Sequence, residues 1–312
     1  MSGFSLRSAA WRALLVVPLL AASPSCGGGG GGGGGEAPQD PFDLASVTPD
    51  PTQAAKDSFA GLFAADYLRA THFDRLIVEV AYPDDRTPIQ ASLDLLQERL
   101  SERCDKPDGV EVVLGAAIPV DEFDERLSTG ALEDLEDAHR IVYSDSSTRT
   151  AAMFVLYVHG HSSLDTFTGN VIGLSYRGGS FAIFVDRVGE SATPPLVTEA
   201  EIEGGTIVHE AGHLLGLVNN GVPMQQAHED NQHGLHDIST ACVMYYVIQV
   251  PFGSPNIGDP DFMQYDPNCM NDLHAFGGLP PSPAPAFVGA TSDGLEPLQV
   301  GICPCCGRSP PR

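Results

Sequence analysis

The stretch Gly204-Gly-Thr-Ile-Val-His209-Glu210-Ala-Gly-His213-Leu-Leu-Gly216 decides how this chain is read. Thr198-Glu-Ala-Glu201 stands just upstream, a threonine three residues before a glutamate, and predicts a capped helix start. On a helix, residues four apart share a face, so His209 and His213 offer two imidazoles to one point in space. Glu210 leaves the helix about 100° further round, near enough to hold a water at a metal without ligating the ion. Ile207, Val208, Ala211, Leu214 and Leu215 supply a buried face. Two surface histidines on an ordinary helix fit less well with a helix that reads as buried and follows a sheet.

The residues before this helix read as that sheet. Arg75 to Tyr82 is rich in β-branched residues, Pro88 to Cys104 carries leucines at helical spacing, and Gly109 to Leu114 is a second strand. Together they predict a β-α-β unit with a parallel pair. A helix fits 53 to 69 and another fits Ala131 to Val142. Strands follow at Ala152 to His159, Asn170 to Tyr176 and Ser180 to Asp186, with Arg-Gly-Gly between the last two. Gly-rich turns between short strands point to a mixed sheet with an antiparallel member. His159 and His161 lie at a strand end and read as a turn, because two histidines with no third partner do not make a metal site.

Gly216 carries the pattern further. His-Glu-x-x-His-x-x-Gly resembles the metzincin zinc peptidases, whose helix stops at the glycine and whose chain then swings round to a third histidine. Here that third position is Asn219, and a neutral carboxamide is a poor zinc ligand. Within the family, archaemetzincins place the third histidine six residues before a cysteine and eight before the methionine of the Met-turn. His236, Cys242 and Met244 stand at those spacings, with Asp237 where the archaemetzincin has another cysteine. The resemblance therefore implies an insert of 17 residues, from Asn219 to His236. Leu217-Val-Asn-Asn-Gly-Val-Pro-Met224 and Cys242-Val-Met-Tyr-Tyr246 are also similar to bacterial membrane-anchored metalloproteases. The likeness spans residues 75 to 277 loosely and is specific only over 205–246.

What it implies is an α/β (α+β) metzincin-like fold, with a twisted mixed sheet, backing helices and a zinc-binding helix. Below these lies a small irregular C-terminal part ending in a helix near Asn268 to Ala275. His209, His213 and His236 are the expected ligands of one catalytic Zn²⁺, with His228, His233 and Asp230 as rivals for the third place and a second ion left open. Glu210 is the expected general base. Gly216 serves the turn, and Met244 the apolar floor beneath the metal. Tyr246, two after Met244, is either an oxyanion-stabilising residue or a packed aromatic. Metzincins bind peptide along the lowest strand of the sheet, and Ser180 to Asp186 is the candidate. The implied activity is zinc-dependent endopeptidase action on a protein or peptide substrate. The alternative is a non-catalytic surface lipoprotein, a binding protein on a degenerate metzincin scaffold.

Charge and termini bound the rest. Lys+Arg is 16 against Asp+Glu 41, a net charge of −25, and such a chain would be repelled by nucleic acid. Arg7 and Arg12 followed by the apolar run Ala13 to Ala22 read as a signal peptide over 1–25, shorter than the roughly 18 residues that cross a bilayer. Cys26, directly before the nine glycines Gly27 to Gly35, resembles the lipidated cysteine of a bacterial lipoprotein. Residues 26–52 then form a Gly- and Pro-rich linker, and 53–312 the metalloprotease domain, divided into 53–216 and 217–312. The chain is expected to be exported and lipid-anchored at the outer membrane or cell surface, or else secreted, as a monomer touching membrane only through its lipid. Cys104, Cys242, Cys269, Cys303, Cys305 and Cys306 are an even set, which in an exported chain favours disulfides over metal binding by the last three.

Overall fold

Thr150 to Val158 is apolar along nearly its whole length, as expected of a strand covered on both faces, and it forms the middle of the sheet. The computed structural model describes residues 55–56, 58–166, 169–246 and 263–281. The expectations for 1–25, Cys26, the 26–52 linker, Cys303, Cys305 and Cys306 lie outside them.

In chain order the elements are α1 (Ala64–Leu68), β1 (Arg75–Pro83), α2 (Gln90–Arg103), β2 (Val110–Ile118), β3 (Arg126–Leu127), α3 (Thr129–His139), β4 (Thr150–Val158), β5 (His161–Ser162), β6 (Gly173–Arg177), β7 (Ser180–Phe184), α4 (Val185–Ser191), α5 (Glu199–Leu214) and α6 (Pro267–Ala275). Five strands form one sheet in the order β2-β1-β4-β7-β6. β1 is parallel to β2 and β4, β4 is parallel to β7, and β6 alone runs antiparallel, against β7. The expected parallel unit and antiparallel member are both present.

Alternation along the strands sends side chains to two cores. Met153, Val155, Tyr157, Phe181 and Ile183 join Leu93, Leu96 and Leu100 of α2 and Ile207, Val208 and Ala211 of α5. Phe154, Leu156, Val158, Ala182 and Phe184 face Leu132 and Leu135 of α3 on the other side. The sheet is thus covered on both faces, and α5 is held against one of them along its buried length. Among the described residues no helix is long and apolar enough to cross a membrane.

Two expectations are corrected. The helix read over 53–69 is broken, because Gly61 takes φ 88° and only Ala64–Leu68 is helical beyond it. Gly61 sits so close to the Asn220 carbonyl that a Cβ there would overlap it, and the chain turns instead of winding on. The peptide-binding strand was expected at 180–186. That segment is β7, hydrogen-bonded on both sides by β4 and β6, and its end passes into α4 at Val185. Among the described residues the edge on that side of the sheet belongs to β6.

Candidate metal centre

α5 starts as its sequence predicts. Thr198 Oγ1 accepts from the Glu201 N–H at 3.3 Å, and Glu201 Oε2 accepts from the Thr198 N–H at 2.7 Å. It ends at the glycine: Gly216 takes φ 80°, where a Cβ would meet Ala64 and Val222, each at 3.0 Å. A left-handed residue without a Cβ lets the chain reverse directly beneath the helix.

One turn apart on α5, His209 and His213 bring their Nε2 atoms to 3.2 Å. Two nitrogens bound at ~2.05 Å to one tetrahedral ion lie about 3.3 Å apart, so this pair is already at ligating separation. His209 Nδ1 lies 2.7 Å from the Val243 carbonyl, which can only accept, so Nδ1 carries the proton and Nε2 keeps its lone pair. His236 arrives from the long loop with its ring 5.2 Å from that of His209 and 5.1 Å from that of His213. Its Nδ1 faces the His233 and Gly234 carbonyls at 2.7 and 2.9 Å, while its Nε2 is buried with no partner among the described residues. The ligand atoms of the three histidines all lie within 4.8 Å of one another. Burial pushes the His209 imidazole down to about 3 and His213 well below its ordinary value, and the crowding of the three rings adds to both shifts. Neutral imidazoles with free, convergent lone pairs suit a zinc ion.

The loop that delivers His236 is stitched rather than open. Asp230 N–H donates to the His236 carbonyl at 2.7 Å, Ile238 N–H to the His228 carbonyl at 2.9 Å, and Asp237 N–H to the Met244 carbonyl at 2.9 Å. Asn219, in the left-handed region at φ 65°, spends its side-chain amide on Glu229 Oε2 at 3.3 Å. His233 Nδ1 donates to Asp230 Oδ2 at 2.6 Å, and the ring stacks on Tyr246 with ring centres 3.5 Å apart. Tyr246 therefore packs on the loop through His233. Met244 is fully buried under α5, against Gly212.

Glu210 is buried, and burial pushes its carboxyl up to about 7, against the pull of a hydrogen bond from Ser175. Ser175 Oγ donates to Glu210 Oε2 at 2.8 Å, while Oε1 is buried with no partner among the described residues. Gly173, two residues earlier on β6, has Glu210 Oε1 at 2.7 Å from where its Cβ would stand. Neither β6 residue was singled out by sequence reasoning, nor was Gly212. Period-two patterning marks a strand but not which helix its small residues meet.

A second group lies below. Asp237, Cys242, Asp266 and Cys269 have donor atoms within 4.8 Å of one another. His228, one of the rival third ligands, adjoins this group: its Nε2 is 3.4 Å from Asp272 and 3.8 Å from Cys269 Sγ. The expected disulfides do not appear among the described residues, where Cys104, Cys242 and Cys269 are free thiols. Cys242 and Cys269 sulfurs are 3.7 Å apart, with two carboxylates sharing their pocket, an arrangement of separate donors rather than a bond of ~2.05 Å. Away from both groups, His159 is bracketed by Asp186 and Asp85 at 3.0 and 2.9 Å, and His161 by Glu190 at 3.2 Å.

No protein-family model and no curated protein matches the sequence. Solved structures are similar in fold. Over 65% of this chain and 94% of the other, it is similar to the archaemetzincin of Methanopyrus kandleri, with a TM-score of 0.41 and 17% identity. The archaemetzincin of Archaeoglobus fulgidus, crystallised with malonate, is similar over 63% and 99% of the two chains, at TM-score 0.35 and 15% identity. A zinc-dependent peptidase from Methanocorpusculum labreanum covers the same shares, at TM-score 0.36 and 15% identity.

Proposed function

We propose that this chain is a zinc-dependent endopeptidase, with His209, His213 and His236 as ligands of the catalytic ion and Glu210 as general base. The observation that carries the reading is the convergence of three imidazoles whose Nδ1 atoms of His209 and His236 are occupied by carbonyls, leaving the buried Nε2 of His236 unpartnered. Asn219 has another task, and the ligand missing from its position is supplied by the loop.

A bound zinc ion supplies Lewis acidity, which makes water a nucleophile near neutral pH. Glu210 does the proton work: its Oε1 has no other partner, so it can take a proton from the attacking water and deliver it to the leaving amine nitrogen. Burial raises its carboxyl above the ordinary carboxylate range, which favours taking up that proton. The carbonyls of Val243, His233 and Gly234 fix the ring orientations. The free edge of β6 offers backbone groups to an extended peptide, affinity that does not depend on sequence. Asp237, Cys242, Asp266 and Cys269 would hold a second ion in a structural role, two thiolates and two carboxylates being suitable donors. At the other end of the chain, we propose that Cys26 is lipidated and that the protein works as an exported, membrane-anchored monomer.

Metal analysis with a chelator tests the reading. The purified protein should carry zinc, lose casein hydrolysis when 1,10-phenanthroline removes it, and regain both on zinc addition. A folded, metal-free and inactive protein would instead return the chain to a binding role on a retired scaffold.

A further inference from the structure

The edge strand contributes to the chemistry as well as to the fold. Residues 173 and 175 lie on one face of β6, because side chains alternate along a strand, while Leu174 and Tyr176 pack into the opposite core. The 173/175 face meets α5 at Glu210. Ser175 Oγ is 2.8 Å from Glu210 Oε2 and 3.1 Å from the Glu210 carbonyl, so the hydroxyl caps one carboxylate oxygen from the side. Gly173 leaves the space that the other oxygen fills: a Cβ there would stand 2.7 Å from Oε1 and 2.6 Å from Thr206 Cγ2. Oε1 is consequently buried, with no hydrogen-bond partner among the described residues.

We propose that Ser175 is the positioning residue of the general base: it ties up Oε2 of Glu210 and leaves Oε1 as the oxygen that receives the proton. This rests on the peptidase reading above. A carboxylate on two single bonds can rotate; the Ser175 N–H also bonds to Glu210, and the hydroxyl is the side-chain donor that selects Oε2, without which the two oxygens exchange places more readily and the reactive lone pair loses its aim. The hydroxyl removes that freedom while Gly173 keeps the pocket open. The arrangement acts on the turnover step and not on peptide affinity, because Ser175 touches Glu210 and not the outer edge of β6.

The test compares zinc-loaded wild type, Ser175→Ala, Ser175→Thr and Glu210→Gln on a fluorogenic peptide, with zinc content, melting temperature and crystal structures measured alongside. Ser175→Ala should lower kcat by ~10–100-fold, the usual loss on removing an outer partner, with KM within about twofold and zinc content and melting unchanged. Ser175→Thr, which keeps the hydroxyl, should restore kcat to within about threefold of wild type. Crystals of Ser175→Ala should show the Glu210 carboxylate rotated from its place beside Gly173. Wild-type kcat in Ser175→Ala with an unmoved carboxylate overturns the proposal, as does a loss of kcat accompanied by loss of zinc. If the wild type cleaves nothing and the carboxylate still rotates in the variant, the peptidase reading falls and the positioning role stands.

Discussion

The Met244 thioether occupies the space that a Cβ on Gly212 would need, and Tyr265 closes the same spot with Cε1 at 3.0 Å. Tyr265 also donates its hydroxyl to the Val208 carbonyl at 2.9 Å, so the floor grips the metal helix one turn above and at the glycine itself. Gly212, the second of the two residues between Glu210 and His213, is therefore small because of what lies below it. On an exposed helix Gly→Ala is stabilising by up to about 1 kcal/mol. Here Gly212→Ala should destabilise by roughly 1–3 kcal/mol through overpacking. Denaturant unfolding checks this, and an unchanged or raised midpoint would contradict the contact.

The displaced ligand separates two variants. His236→Ala should weaken zinc binding by more than the ~10–100-fold that loss of an outer partner produces. Asn219→Ala should leave zinc affinity near wild type, because the Asn219 amide is engaged with Glu229. It should lower stability modestly, since φ 65° suits asparagine better than alanine. Competitive zinc titration of both decides the matter. Loss of zinc in Asn219→Ala with retention in His236→Ala reverses the assignment.

Metal removal should be visible in stability. The histidines that α5 and the loop bring together are not convergent in the unfolded chain, so a zinc ion held by them would bind the folded state preferentially. At free zinc a thousand times the dissociation constant this contributes about 4 kcal/mol, on the order of 10 °C in melting temperature. Calorimetry before and after chelation measures it, and superimposable traces would argue that no ion sits there.

The anchor has its own test. Cys26→Ser should move the protein from the membrane fraction to the soluble fraction with its peptidase activity intact. Equal partition of the two forms counts against lipidation.

Much of the site was legible because its logic is local. His209, Glu210 and His213 depend on helical spacing, Gly216 on a left-handed turn, and the Thr198/Glu201 cap on a three-residue offset, all of which survive in a bare sequence. His236 was legible only through its distances to Cys242 and Met244. What stayed hidden is contact between elements far apart in the chain. Ser175 reaches Glu210 across 35 positions, Gly61 meets Asn220 across the molecule, and which strand ends up on the edge depends on pairing, not on residue type. The expectation of disulfides misled for a related reason: an even set of cysteines predicts bonds without saying which, but Cys242 and Cys269 share their pocket with Asp237 and Asp266.

The central claim is hydrolysis with Glu210 as the base, and one comparison tests it most directly: the rate of casein cleavage by zinc-loaded wild type and zinc-loaded Glu210→Gln. Glutamine keeps the shape and removes the basic oxygen, so the variant should retain zinc and fold yet lose about 10²–10⁴-fold in rate, the usual contribution of a general base. Equal rates in the two proteins, both carrying zinc, would contradict the account.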